Sequence, residues 1–236
     1  MDFDLIINSI PKILRGSRLT VLLVTTSLSM GFVLAIITAL LRRSRISLLV
    51  TPIKAYVFVM RGTPLLVQIF LIYYGIGQFE VVRQSIFWSI LKSPFCCAII
   101  ALTLNTAAYG SEILRGGLES VSWGEVEAAR SMGMSGFLLF RRIIFPIAIR
   151  QALPAYGNEV ILMVKATSLA STITIMEMTG VANMIMAESY RPLEAFIVAG
   201  SFYLLLNFIM TRLIQLIEWR LSGHLRPPKI IPASAF

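Results

Sequence analysis

An all-α integral membrane protein with five transmembrane helices is the fold class this sequence predicts, and three observations predict it. Apolar residues make up 57% of the 236 positions, with a mean hydropathy of +0.81, against about 45–50% in soluble domains. The excess is gathered into runs long enough to cross a bilayer. The 21 lysines and arginines fall mainly in the short segments between those runs, a placement that sets membrane topology. The net charge of +9 therefore needs no nucleic-acid partner, and no basic stripe with interleaved aromatics is present. Membrane lipid is the expected surrounding. One domain spanning 1–236 is the simplest division.

Residues 1–17 mix Leu5, Ile6, Ile10, Ile13 and Leu14 with charges. They read as a short interfacial helix broken at Pro11. Asp2 and Asp4 stand where a signal peptide would be positive, so no cleavable signal is expected. The first span is 19–41, ~35 Å as helix, stopped by Arg42, Arg43 and Arg45. Residues 52–77 are apolar but interrupted by Arg61-Gly62-Thr63-Pro64. With Thr63 as a cap and Pro64 at the first helical position, this reads as a short helix, a break, and a second span through Tyr74. Residues 80–93 read as a polar loop anchored by Trp88. The third span, 94–114, carries Asn105, Tyr109 and Glu112, which share one helical face expected to look inward. The fourth, 156–176, contains Glu159 and Lys165. A loop over 177–194, a fifth span over 195–217 and a basic tail complete the chain.

The loop at about 115–154 is long and polar for so apolar a chain, and long loops tend to be functional. It reads as two short helices. Glu125 to Met132 is rich in helix formers, with Ser122 as N-cap and Glu125 and Glu127 in the early turns. Gly133 suits the position just past its end. Ser135 is placed to cap a second helix that Pro146 ends or kinks. Val126, Ala129, Arg130 and Gly133 recur at 3 and 4 spacing, a small-residue face that another protein can approach.

Within this loop Glu127-Ala128-Ala129 is followed, after three residues, by Gly133 and, after nine more, by Ile143-Ile144-Phe145-Pro146. The pattern resembles the EAA loop of ABC importer permeases, EAA-x3-G-x9-I-x-L-P, departing only at Phe145. The resemblance implies the type I importer permease (MetI-like) fold, with the loop as a cytoplasmic coupling helix seated in a groove of an ATPase subunit. Glu127, Ala128, Ala129 and Gly133 are then the coupling residues. Arg61-Gly-Thr-Pro-Leu-Leu-Val-Gln68 resembles a hallmark of the polar amino acid branch. The segment 156–169, with Glu159 after Asn158, resembles the fourth span of permeases for basic amino acids, closest to the histidine/lysine/arginine/ornithine and octopine/nopaline permeases. It implies that Glu159 reads a cationic side chain. Lys165, Thr167 and Ser168 become candidates for the α-carboxylate, and Asn105 and Tyr109 line the same pathway.

The resemblance further implies an ATPase subunit dimer, a second permease subunit and a periplasmic substrate-binding protein as partners. A basic amino acid or opine is the implied cargo, carried across the bacterial inner membrane. Whether the second permease is identical or homologous stays open. With the coupling loop inside, the inner segments hold 13 Lys and Arg and the outer ones 6, which agrees with the positive-inside bias. The N-terminus is then outside and the C-terminus cytoplasmic.

Other chemistries find little support. There is no P-loop motif, so ATP hydrolysis is expected in a partner, and the chain is read as a transport subunit, not an enzyme. Cys96 and Cys97 are adjacent and apolar in setting, and His224 stands alone. No metal and no cofactor are expected. A secondary carrier would show repeated broken helices, and only one clear break is visible.

Overall fold

The computed structural model describes residues 2–42, 44 and 46–221, and every regular element among them is helical. Arg43, Arg45, His224 and the basic tail beyond Leu221 lie outside the described residues. The first helix, α1 (Phe3–Arg42), is unbroken over 40 residues, ~60 Å. This corrects the expectation of a separate interfacial helix over residues 1–17, broken at Pro11. A proline inside a helix costs about 3 kcal/mol, but Ser9 and Ile13 on either side are buried. Ile13 packs with Met178, Val181, Ala182 and Ala195, and that packing holds the helix together across the proline.

The expected break after Gly62 is present. α2 (Ser47–Gly62) ends there, and the next helical stretch, Leu65–Gln78, leaves at 112°. That stretch comprises α3 (Leu65–Phe70), a π turn (Leu71–Gly75) and a short 3-10 turn (Ile76–Gln78). Proline disfavours helical geometry in the residue before it, and Thr63 is extended at φ −116, ψ 146. Thr63 does not cap α3, however, and Pro64 precedes the helix instead of opening it. The Thr63 hydroxyl donates back to Val59 O at 2.7 Å.

The expected loop over 80–93 contains two single turns, α4 (Glu80–Arg83) and α5 (Trp88–Leu91). α6 (Pro94–Glu119) outlasts its predicted span by five residues. It threads the centre of the bundle with small side chains facing its neighbours. A Cβ at Gly31 of α1 would lie 2.8 Å from Thr106 Cγ2, and one at Gly117 would lie 2.6 Å from Ala148 O. Such close approach is how helices associate in lipid, where apolar burial supplies no driving force. Large apolar side chains point outward instead, among them Leu204, Leu205 and Phe208.

α7 (Trp123–Ser131) has the predicted cap. Glu125 N donates to Ser122 Oγ at 3.2 Å, and Ser122 N donates to Glu125 Oε2 at 3.3 Å. Gly133 follows with φ +82. α8 (Gly136–Leu139) begins after Ser135, whose side chain makes no capping bond. It continues through a π turn (Phe140–Ile144) into α9 (Phe145–Ala166). Pro146 and Pro154 therefore sit inside one helical rod, not at its end or before its start. The π turn adds a residue to the ladder just ahead of Pro146, where a proline ring would otherwise crowd the carbonyl one turn back.

A 3-10 stretch (Thr167–Ile173) ends α9, and Thr174 turns the chain at φ +67. The predicted loop over 177–194 is mostly helix, α10 (Met178–Ser189), followed by α11 (Pro192–Leu221). The reason is Glu177, fully buried as the N-cap of α10. Its carboxylate accepts from Gly180 N at 2.9 Å, Tyr203 Oη at 2.6 Å and Thr20 Oγ1 at 3.4 Å, so one side chain ties α1, α10 and α11 together. Negative charge at a helix N-terminus is favourable.

α1, α6 and α11 are each long and apolar enough to cross a membrane. The bent pairs Ser47–Gly62 with Leu65–Gln78, and Gly136–Ile173 with Met178–Ser189, bring the count to five when each pair is one span. That agrees with the predicted number.

Candidate functional site

A cavity of about 550 Å³ opens where the α2–α3 break meets α6 and α9. Thr63, Pro64, Asn105, Tyr109, Asn158 and Glu159 line it. The sequence therefore named three of its polar residues, Asn105, Tyr109 and Glu159. Lys165, Thr167 and Ser168 do not line it. Lys165 is exposed, the Thr167 hydroxyl donates to Val164 O at 2.7 Å, and Ser168 Oγ donates to Lys165 O at 2.7 Å. Six residues of helix carry Lys165 ~9 Å along the axis from Glu159 and onto another face.

The break is held open by a polar bracket. Gln68, 5% exposed, places Nε2 2.8 Å from Met60 O, 2.9 Å from Thr63 Oγ1 and 3.1 Å from Thr63 O. Asn105 Nδ2 donates to Gln68 Oε1 at 3.0 Å and reaches Met60 O at 3.4 Å. The last carbonyls of a helix have no partners within it, and in lipid they must find some. Gln68 and Asn105 supply them. Asn105 thus lines the cavity while its amide nitrogen serves the scaffold. Tyr109 does the same: its hydroxyl donates to Arg61 O at 3.4 Å, with the Arg61 guanidinium 5.4 Å from the ring centroid.

Glu112, one turn further along α6, binds cations. Arg42 Nη1 pairs with its Oε1, Arg115 Nη2 lies 2.8 Å from Oε2, and Arg61 Nη1 is 4.0 Å away. The face shared by Asn105, Tyr109 and Glu112 does look inward, onto the end of α2.

Glu159 is the exception in this polar setting. It is 7% exposed, and among the described residues its carboxylate has no ion-pair or hydrogen-bond partner. An isolated buried charge is costly, and an ionisable group inside a membrane span is a functional candidate on physical grounds.

The hairpin of α7 and α8 presents a different face from the predicted one. Val126 and Ala129 are buried against Leu139 within it. Trp123, Glu127, Ala128, Ser131 and Met132 are exposed. A Cβ at Gly133 would meet nothing within 4 Å, so the glycine is required by its positive φ, not by crowding inside the chain.

A family profile described as "Binding-protein-dependent transport system inner membrane component" matches residues 31–223. The chain belongs to this family. Being one of these inner membrane components, it is a multi-pass transport subunit. It is 56% identical over 227 residues to the nopaline transport system permease NocM of Agrobacterium fabrum, covering 96% of this chain and 94% of the relative. The octopine permease OccM of Rhizobium meliloti is 56% identical over 209 residues, 89% and 85% of the two chains. The histidine/lysine/arginine/ornithine permease HisM of Escherichia coli is 40% identical over 213 residues, 90% of each. Among solved structures, an amino acid ABC transporter crystallised with histidines superposes with TM-score 0.83 at 33% identity, covering 93% of this chain and 99% of that one. The inward-facing MetNI methionine transporter gives 0.64 at 18% identity, covering 91% and 96%, a likeness of fold.

Proposed function

We propose that this permease carries a cationic amino acid or an arginine-type opine across the inner membrane, with Glu159 reading the positive side chain. The observation that carries the proposal is the buried Glu159 carboxylate, without a partner among the described residues, in a cavity otherwise lined by neutral groups. A substrate cation is the partner that removes the cost of burying it. The ligands named for the permease relatives share this feature: octopine, nopaline, arginine, lysine and ornithine each carry a cationic side chain, and histidine does when protonated. Asn158 and the hydroxyl of Tyr109 add neutral polar contacts. Lys165, Thr167 and Ser168 lie outside the cavity, at the end of α9 and in the 3-10 stretch that follows it. The test is uptake by cells carrying the complete transporter, measured for lysine, arginine, histidine, ornithine, octopine and nopaline, with glutamine as a neutral control. Glutamine carried as well as every cationic ligand refutes the proposal.

The motive force comes from an ATPase dimer docked on the hairpin, with a second permease subunit and a periplasmic binding protein completing the importer. The docking surface is formed by Glu127, Ala128 and their exposed neighbours. Ala129 acts from beneath by letting α7 lie close on α8, and Gly133 by turning the chain out of α7. Orientation follows: the N-terminus is outside, and the hairpin and C-terminus are cytoplasmic. In a background where Cys96 and Cys97 are serine, a cysteine at Ser135 is expected to react with an impermeant reagent only from the cytoplasmic side. One at Ser89 is expected to react only from outside. Either result reversed overturns the topology.

A further inference from the structure

Two adjoining cavities, of about 530 and 470 Å³, lie at the end of α6 that leads into the coupling hairpin. Both are lined by Arg42 and Lys54. The first adds Phe58, Arg61 and Glu112, and the second adds Arg115 and Glu119. Four cations therefore face two carboxylates. Arg42 and Arg115 are matched by Glu112, and Arg115 also reaches Glu119 at 2.5 Å. Arg61 is only 4.0 Å from the already engaged Glu112. Among the described residues Lys54 has no ion-pair partner. These charges are not needed to answer the carbonyls at the end of α2, because Gln68, Asn105 and Tyr109 supply neutral donors there. Lys54 and Arg61 are surplus positive charge on the wall of a cavity.

The lining of the first cavity includes an exposed aromatic. Phe58 is 79% exposed, and Lys54, Phe58 and Arg61 stand at i, i+4 and i+7 on one face of α2. A phosphate with hydrocarbon attached fits cations flanked by an exposed aromatic better than a free ion does. We infer that this pocket holds the phosphate of an anionic phospholipid from the leaflet facing the coupling hairpin. Basic pockets between helices on the cytoplasmic side are suited to such headgroups. The inference rests on the orientation proposed above for the choice of leaflet, and is independent of what the Glu159 cavity carries.

The full chain with its co-purifying subunits, stripped of lipid in detergent, is titrated with phosphatidylglycerol and with phosphatidylcholine. Bound lipid is counted by native mass spectrometry. Phosphatidylglycerol is expected to be retained over phosphatidylcholine. Each basic residue near the headgroup contributes about 1 kcal/mol, so Lys54→Gln should weaken that retention about fivefold. Lys54 is exposed, so its replacement spares the fold. Lys54→Arg should keep the preference, and Arg83→Gln, in the loop before α6, should leave it unchanged. Equal retention by Lys54→Gln and the parent protein overturns the site. Displacement of phosphatidylglycerol by inorganic phosphate at matched concentration keeps the phosphate chemistry and overturns the lipid as its source.

Discussion

Glu159→Gln is expected to abolish most uptake of cationic ligands while leaving the transporter assembled and its ATPase responsive to the binding protein. The substitution keeps the shape of the side chain and removes its charge. A hydrogen bond to a charged group is roughly twice as strong as a neutral one. Its loss here costs about 2 kcal/mol, or about thirty-fold in affinity. The alternative is that a cation from another subunit neutralises Glu159 in the assembly. The same variant separates the two cases. Loss of a structural ion pair lowers complex yield, ATPase activity and uptake together, because breaking a buried pair leaves an uncompensated charge. Loss of a substrate contact lowers uptake alone. Unchanged uptake of every cationic ligand removes Glu159 from the site.

Glu159 was visible in the sequence because an ionisable residue in an apolar run has few innocent explanations. Gln68 was not. Its partners Met60 and Thr63 are near in sequence, but its meaning depends on Asn105, 37 residues away, and on a 112° bend that no periodicity encodes. Lys165 looked equivalent to Glu159 by the same rule, yet α9 turns it away from the cavity. The cap of α7 and the turn at Gly133 were legible because both are local: Ser122 and Glu125 satisfy each other within one turn. Pro11 and Pro146 mislead for the opposite reason. Each is a local helix breaker overruled by its setting, in which buried Ser9 and Ile13 flank the first and a π turn precedes the second. Glu177 reads as a loop residue in the sequence because its value lies in three distant helices meeting at one carboxylate.

Gly133→Val is expected to uncouple the transporter, lowering uptake by tenfold or more, about 1.4 kcal/mol or greater in the coupled step, while insertion and complex yield persist. The backbone at this position has φ +82, a region that costs a side-chain-bearing residue roughly 1–2 kcal/mol and is worst for a β-branched one. Open space surrounds the position within the chain, so valine meets no internal clash, and the bundle of α1, α6 and α9 is untouched. What changes is the path of the chain out of α7 and hence the angle at which Trp123, Glu127 and Ala128 meet their partner. Gly133→Asn separates conformation from contact. Asparagine tolerates the left-handed region, so it restores coupling if the glycine serves only the turn. If the ATPase groove closes on Gly133 itself, asparagine fails as valine does. ATPase activity, uptake and ATPase co-purification measured on the three proteins decide between these. Normal uptake by the valine variant removes the turn at Gly133 from the coupling path.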